Sequence, residues 1–263
     1  MKKTKHVRLV SAIKVWVLFL VVGVIGLNMV GVRKAFSESV SLTVAVATNF
    51  MQPFNEAAVL FEKQTGIRVT PTFASTGKLY GQIINGAPYD MFLAADERRP
   101  GLLYDDKLCE TPFVYAGGAV VVWTANRDLC RYQSWQDMLR DPAVRYVAVA
   151  NPKNSPYGSA SKTALVAAGL WEPLRAKWVF PQSIAQAFQY AHTESADVGL
   201  CAYSSALSDK GTKGCWHAVP EAPSIIQAAC ILVRTPYPDA CRKLADFLNG
   251  SQTAAIKSAY GYR

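Results

Sequence analysis

The 263 residues carry 28 Lys and Arg against 19 Asp and Glu, a formal net charge of +9, with three histidines and six cysteines. Seven of the basic side chains, Lys2, Lys3, Lys5, Arg8, Lys14, Arg33 and Lys34, precede Ser37, and no acid does, so the remainder of the chain is close to neutral. That balance excludes the basic surface on which nucleic-acid binding depends.

The N-terminal segment opens with MKKTKHVR, continues through an apolar stretch from Val15 to Val32 and reaches Ala35-Phe36-Ser37, a small-x-small pattern. Residues 1–37 read as a cleavable secretory signal peptide, which makes the protein periplasmic. The alternative is an uncleaved anchor, since the apolar stretch approaches the span of a bilayer helix. All six cysteines (109, 130, 201, 215, 230 and 241) follow this segment. An even count in an oxidising compartment predicts disulfides, and Cys109 with Cys130, which flank one apolar segment, is the expected pair. No CxxC occurs, and His192 and His217 stand at no zinc-ligand spacing, so neither a metal ion nor a cofactor is expected.

Taken in order, the mature chain alternates strand-like and helix-like segments. Strands are predicted at 42–47, 68–73, 91–94, 119–124, 146–150, 198–202 and 226–233, from runs rich in β-branched and apolar residues. Helices are predicted at 53–65, 77–85, 134–140, 159–168, 184–193 and 239–249. In the first of these, Phe54, Ala57, Ala58 and Phe61 fall on one face. Alternation of this kind means an α/β fold with largely parallel sheet. Tyr115-Ala116-Gly117-Gly118 and the Pro-containing stretch Val219–Ser224 read as two hinges. Crossing at both would divide the chain into one lobe of residues 38–118 plus 225–263 and a second of residues 119–224, with a cleft between; a single doubly wound domain is the alternative.

Four junctions share one design, in which small or hydroxyl-bearing residues open a helix: Ala47-Thr48-Asn49, Ala74-Ser75-Thr76-Gly77, Ser155-Pro156-Tyr157-Gly158 and Pro181-Gln182-Ser183-Ile184. Helix starts leave backbone N–H groups free and carry positive dipole charge, which suits an anion. Any one junction is more simply an N-cap. Four of them, with no acid and only Lys78 as a base, suggest a dianion held by neutral donors. A protonated anion such as phosphate would bring a hydrogen with nothing to accept it. Ser159 and Lys162 fit S-x-x-K, the pattern of serine acyl-transfer enzymes, but the companion motifs are missing and the residues also serve as a helix opening. Asp90 and Asp96 read as end caps, and Trp171, Trp178 and Phe188 as core.

The stretches LTVAVATNF, TFASTGKLYGQIINGAPYDMFLAAD, VANPKNSPYGSASKTAL and DVGLCAYSSA resemble, in order and at matching spacing, the periplasmic molybdate-binding proteins of ABC importers. The resemblance implies a type II periplasmic-binding fold of two α/β lobes with a two-stranded hinge, and a monomer without catalytic activity. It also implies molybdate or tungstate in the cleft, and a membrane permease as partner. Residue by residue it points to Thr48 and Asn49 in the first turn, to Thr76 with Ser75 beside it in the second, and to the backbone N–H groups of Tyr157 and Ile184. The Tyr157 phenol is a further candidate. A tyrosine used by one branch of the family is replaced here by Ala202, with Tyr203 one place on and facing away. Sulfate or another small anion in the same clamp is the rival reading, and a secreted hydrolase using Ser159 and Lys162 a more distant one.

Overall fold

The computed structural model describes residues 40–263, so the export segment expected over residues 1–37 lies outside the described residues. Its first strand, β1 (Ser41–Ala47), ends in a 3₁₀ turn at Thr48–Phe50 that runs into helix α1 (Met51–Thr65). Strand β2 (Arg68–Ala74), helix α2 (Thr76–Ile84), strand β3 (Met91–Leu93) and helix α3 (Arg98–Asp105) follow. Strand β4 (Phe113–Gly118) is separated by one residue, Ala119, from β5 (Val120–Thr124). After a 3₁₀ turn at Arg127–Arg131 come α4 (Trp135–Arg140), β6 (Val147–Val149), α5 (Pro156–Ala167), β7 (Trp178–Val179), α6 (Ile184–His192), β8 (Val198–Ala202), α7 (Tyr203–Ala206) and β9 (Cys215–Ala218). Strand β10 (Ile225–Ile231), α8 (Pro238–Leu248) and α9 (Ser251–Ala259) close the chain.

The strands form two five-stranded sheets of the same plan, ordered β2-β1-β3-β10-β4 and β7-β6-β8-β5-β9. In each sheet three strands pair in parallel and the last two pairings are antiparallel, so that one strand, β10 in the first sheet and β5 in the second, runs against the other four. The strands of these antiparallel pairings, β4 with β10 and β5 with β9, are the ones that carry the chain across. It leaves the first sheet at the end of β4, enters the second as β5, and returns from β9 through residues 219–224 to β10. Tyr115–Gly118, read as a hinge, forms the end of strand β4. Gly117 exchanges both backbone hydrogen bonds with Arg263 (2.8 and 3.0 Å), which lays the last described residues along β4.

Each sheet is buried on both faces, as strands connected by helices must be. Val44, Val46, Met91 and Leu93 pack with Phe50, Phe54 and Phe61 of the first turn and α1, so the apolar face predicted for that helix is the one that meets the sheet. Ala45, Phe92 and Cys230 turn to the opposite face, against Leu79 and Ile83 of α2. In the second lobe Val147, Val149, Val198 and Leu200 are the centre of another core. Trp178 and Phe188 are buried, and the Trp178 indole N–H donates to the Trp171 carbonyl at 2.8 Å. Among the described residues no helix is long and apolar enough to cross a membrane.

The disulfide differs from the expected one. Cys130 is bonded to Cys215, which ties the Arg127–Arg131 turn to edge strand β9 within the second lobe. Cys109 pairs through its backbone with Leu232 beside the first sheet and is a buried thiol, as are Cys201, Cys230 and Cys241. Spacing along the chain suggested Cys109–Cys130, but the crossing at Ala119 carries those two residues into different lobes.

Candidate oxyanion site

Helix starts from both lobes converge where the sheets face each other. The expected residues are all buried there: Thr48, Asn49, Ser75 and Thr76 from the first lobe, Tyr157 and Ile184 from the second. Contacts across the gap are direct. Gly77 N–H donates to the Asn154 carbonyl at 2.8 Å, and Arg99 Nη2 lies 3.3 Å from the Lys153 carbonyl. Ala47 and Ala95, at the ends of first-lobe strands, pack in the same cluster as Tyr157 and Ile184.

The caps differ between lobes in a way that matters for donors. Ser155 and Ser183 accept from the N–H groups of Gly158 and Gln186, so each occupies one late donor of its helix and leaves the first ones, at Tyr157 and Ile184, uncovered. On the first-lobe side neither Ala47 nor Ser75 makes a side-chain cap bond. Among the described residues no hydrogen bond engages the hydroxyl of Thr48 or Ser75. The Thr76 hydroxyl accepts from Ala95 N–H at 3.0 Å, and this leaves its own hydrogen to be donated elsewhere. Helix α5 starts at Pro156, earlier than predicted; proline at the first helical position has no N–H to leave unpaired. That shift places Tyr157 and Gly158 inside the first turn, where a methyl group on Gly158 would lie 2.0 Å from the Ala150 carbonyl oxygen.

Behind these donors lies a set of buried polar side chains that the sequence did not single out. Gln227 of β10 is fully buried. Its Oε1 accepts from Asn49 Nδ2 (2.6 Å) and from the Tyr115 hydroxyl (3.0 Å), and its Nε2 donates to the Tyr157 hydroxyl (3.4 Å). Asn49 Nδ2 also donates to the Tyr262 hydroxyl at 3.1 Å, and the Asn49 carbonyl accepts from Ser204 Oγ and Tyr262. Both hydrogens of the Asn49 amide are thus committed to the protein, and its Oδ1 is the one buried side-chain polar atom without a partner among the described residues. The side chain of Asn49, expected to donate to a ligand, here joins the first turn to Gln227 of β10 and to Tyr262. A single polar residue in the apolar strand IIQAACI was the available signal for Gln227. Tyr262 had none, because only the docking of the C-terminal residues on β4 brings it in.

The site is electrically neutral. Lys78 is exposed, and the basic side chain beside Gly77, Arg99, is ion-paired with Asp96. Burial holds the phenols protonated: Tyr262 is pushed up to about 12 by burial against the opposing pull of its hydrogen bonds, and Tyr115 and Tyr157 are raised well above the usual tyrosine value by burial first and by neighbouring phenols second. They are donors throughout the physiological range. Tyr203 stands apart, its ring centroid 4.8 Å from that of Trp216. Ser159 and Lys162 lie exposed on α5, where the ammonium sits over the Trp171 ring at 5.1 Å. Asp90 accepts from Thr43 N–H and Thr235, and Asp96 from Arg99 N–H, as end caps do.

Two α/β lobes joined by two crossing strands, with uncovered N–H groups facing each other over a neutral cleft, define a two-lobed solute-binding protein of the type II periplasmic class. Residues 42–263 match the family model of the bacterial extracellular solute-binding proteins. The molybdate-binding protein ModA of Azotobacter vinelandii is 37% identical over 88% of this chain and 93% of its own, and that of Rhodobacter capsulatus 35% identical over 83% and 86%. Among solved structures, the A. vinelandii periplasmic molybdate-binding protein superposes with a TM-score of 0.78 at 31% identity, covering 84% of this chain and 98% of that one. The sulfate-binding protein SubI of Mycobacterium tuberculosis shares the fold, with a TM-score of 0.72 at 14% identity. The chain belongs to the bacterial extracellular solute-binding proteins, among their periplasmic molybdate-binding members.

Proposed function

We propose that this protein captures molybdate in the cleft between its lobes and delivers it to the permease of an ABC importer. One arm of the clamp is residues 38–118 with 225–263, and the other residues 119–224. The ligand shell consists of the Thr48, Ser75 and Thr76 hydroxyls with the backbone N–H groups of Asn49, Thr76, Tyr157 and Ile184, joined by the Tyr157 phenol. The observation that carries this reading is the convergence of uncovered helix-start donors from both lobes on a buried place whose neighbouring basic side chain, Arg99, is ion-paired with Asp96. A fully deprotonated tetrahedral dianion suits such donors, because hydrogen bonds to a charged acceptor are stronger than neutral ones. A carboxylate ligand would call for an arginine fork.

The anion touches both arms and therefore stabilises the closed form, which is what the permease recognises. Capture without turnover is the whole of the chemistry. The chain acts as an exported monomer, and tungstate, of the same shape and charge, competes for the site. Calorimetric titration with molybdate, tungstate, sulfate and phosphate tests this: molybdate and tungstate should bind tightly and sulfate weakly. Heat with sulfate alone would overturn the assignment in favour of the sulfate reading.

A further inference from the structure

We propose that Gln227 is a positioning residue for the oxyanion, acting through Tyr157 and Asn49; this rests on the reading of the cleft as a molybdate site. Gln227 is bonded to candidate ligand residues of both lobes, Asn49 and Tyr157, and it sits on a strand that crosses between them. Its place follows from an irregularity in the sheet. The β10–β4 register shifts between Gln227 and Ala228, so that Gln227 faces Ala116 and Ala228 faces Val114, leaving Tyr115 as the extra residue of a bulge. Bulges re-aim side chains at functional sites, and here Tyr115 and Gln227 both turn inward and bond to each other at 3.0 Å. Space is cleared for the arrangement at the next glycine along: a methyl group on Gly118 would fall 2.0 Å from the Tyr157 hydroxyl and 2.8 Å from Gln227 Nε2.

The consequence concerns the direction of one hydrogen. A phenol that accepts from a fixed amide N–H must send its own hydrogen elsewhere. Because Gln227 Nε2 donates to Tyr157, the Tyr157 hydrogen is free for the anion. Gln227 Oε1 meanwhile accepts from Asn49 Nδ2 and from Tyr115, whose hydroxyl also has the Ala94 carbonyl at 3.1 Å, so reversing the Gln227 amide alone sets its N–H₂ group against the N–H₂ of Asn49. Thr76 is treated the same way by Ala95 N–H. In each lobe, then, a protein N–H primes a ligand hydroxyl.

Gln227→Glu tests the role. The two side chains have the same shape, but a carboxylate accepts from Tyr157 instead of donating to it and brings a negative charge beside the anion. The groups facing this position are the phenols of Tyr115, Tyr157 and Tyr262, all held protonated, with Asp96 acting on Tyr115 from beyond β3. The introduced carboxyl is therefore the group whose titration the profile reads. Molybdate affinity of the variant should fall by at least about tenfold between about pH 5.5 and 8.5 while the wild type stays nearly flat. In a Tyr157→Phe background, where there is no hydrogen to misdirect, the loss on adding Gln227→Glu should be smaller. Should Gln227→Glu fail to fold, Gln227→Met, which keeps the length and removes both polar atoms, is read in the same two backgrounds with the same expectation of a loss that depends on Tyr157. Wild-type-like affinity at every pH, or an equal and pH-independent loss in both backgrounds, overturns the role of Gln227 alone. Absence of molybdate binding by the wild type overturns the functional reading beneath it.

Discussion

Gly77 and Asn154 meet across the cleft: the Gly77 N–H donates to the Asn154 carbonyl at 2.8 Å, and a methyl group on Gly77 would lie 2.9 Å from that oxygen and 3.0 Å from the Asn154 Cα. Both contacts are to backbone, which cannot swing aside. The close approach of the lobes at this point therefore depends on a missing side chain.

Gly77→Ala separates folding from closure. Alanine is the better helix former by about 0.5–1 kcal/mol, so the protein without molybdate should unfold at an unchanged or slightly higher temperature. Closure is obstructed, and molybdate affinity should drop on the order of tenfold. Thermal unfolding and calorimetry on the same preparation check the pair of effects; a lower melting temperature with unchanged affinity would count against the contact as a closure point.

Tyr157→Phe removes one hydroxyl and keeps the ring that fills the second-lobe core. A hydrogen bond to a charged group contributes about 1.5–3 kcal/mol, so molybdate should bind on the order of ten- to a hundredfold more weakly. Thr76→Val should act in the same direction. Equilibrium titration reads both, and circular dichroism verifies that the fold is retained.

The buried phenols make stability sensitive to alkali. Tyr262 titrates at about 12 in the folded protein against about 10 when exposed, with Tyr115 and Tyr157 shifted the same way. Below about pH 10 both states keep these protons and the full stability is present. Above it the unfolded chain releases protons that the folded protein retains, so stability falls as pH rises toward about 12. Denaturant unfolding should give a level plateau from about pH 7 to 9 and a steady decline beyond about 10. Tyr262→Phe should lessen the slope.

The cysteines yield to counting. After unfolding, four thiols per chain should react, from Cys109, Cys201, Cys230 and Cys241. A count of two would mean that Cys109 and Cys230, whose thiols act directly on each other, have joined. Cys130 and Cys215 are 85 residues apart, and reducing their bond should cost about 4.5 kcal/mol of stability by loop entropy.

Much of this architecture can be read from one-dimensional patterns. Strands β1 and β8 are apolar runs bounded by polar turns, and α1 shows its buried face in the spacing of Phe54, Ala57, Ala58 and Phe61. The candidate ligand residues are visible because each sits at a helix start, a local feature. What escaped has a different origin. Helix α3 contains Pro100 and Gly101, and α9, SQTAAIKSA, has almost no apolar stripe, so both are held by neighbours more than by their own periodicity. Strand β4 ends in two glycines, read as a hinge, and the second of them serves the close approach of Tyr157. Strands β7 and β9 are short edge strands. The support behind the cleft, Tyr115, Gln227 and Tyr262, is assembled by residues far apart in the chain, beyond any local signal.

Neutrality of the cleft carries one more consequence. Lysine or arginine in its place would draw small counterions, and rising salt would then loosen the grip by competition and screening. Backbone dipoles and hydroxyls sealed between two lobes hold no such atmosphere. If the cleft holds molybdate as proposed, its affinity should change little with salt concentration.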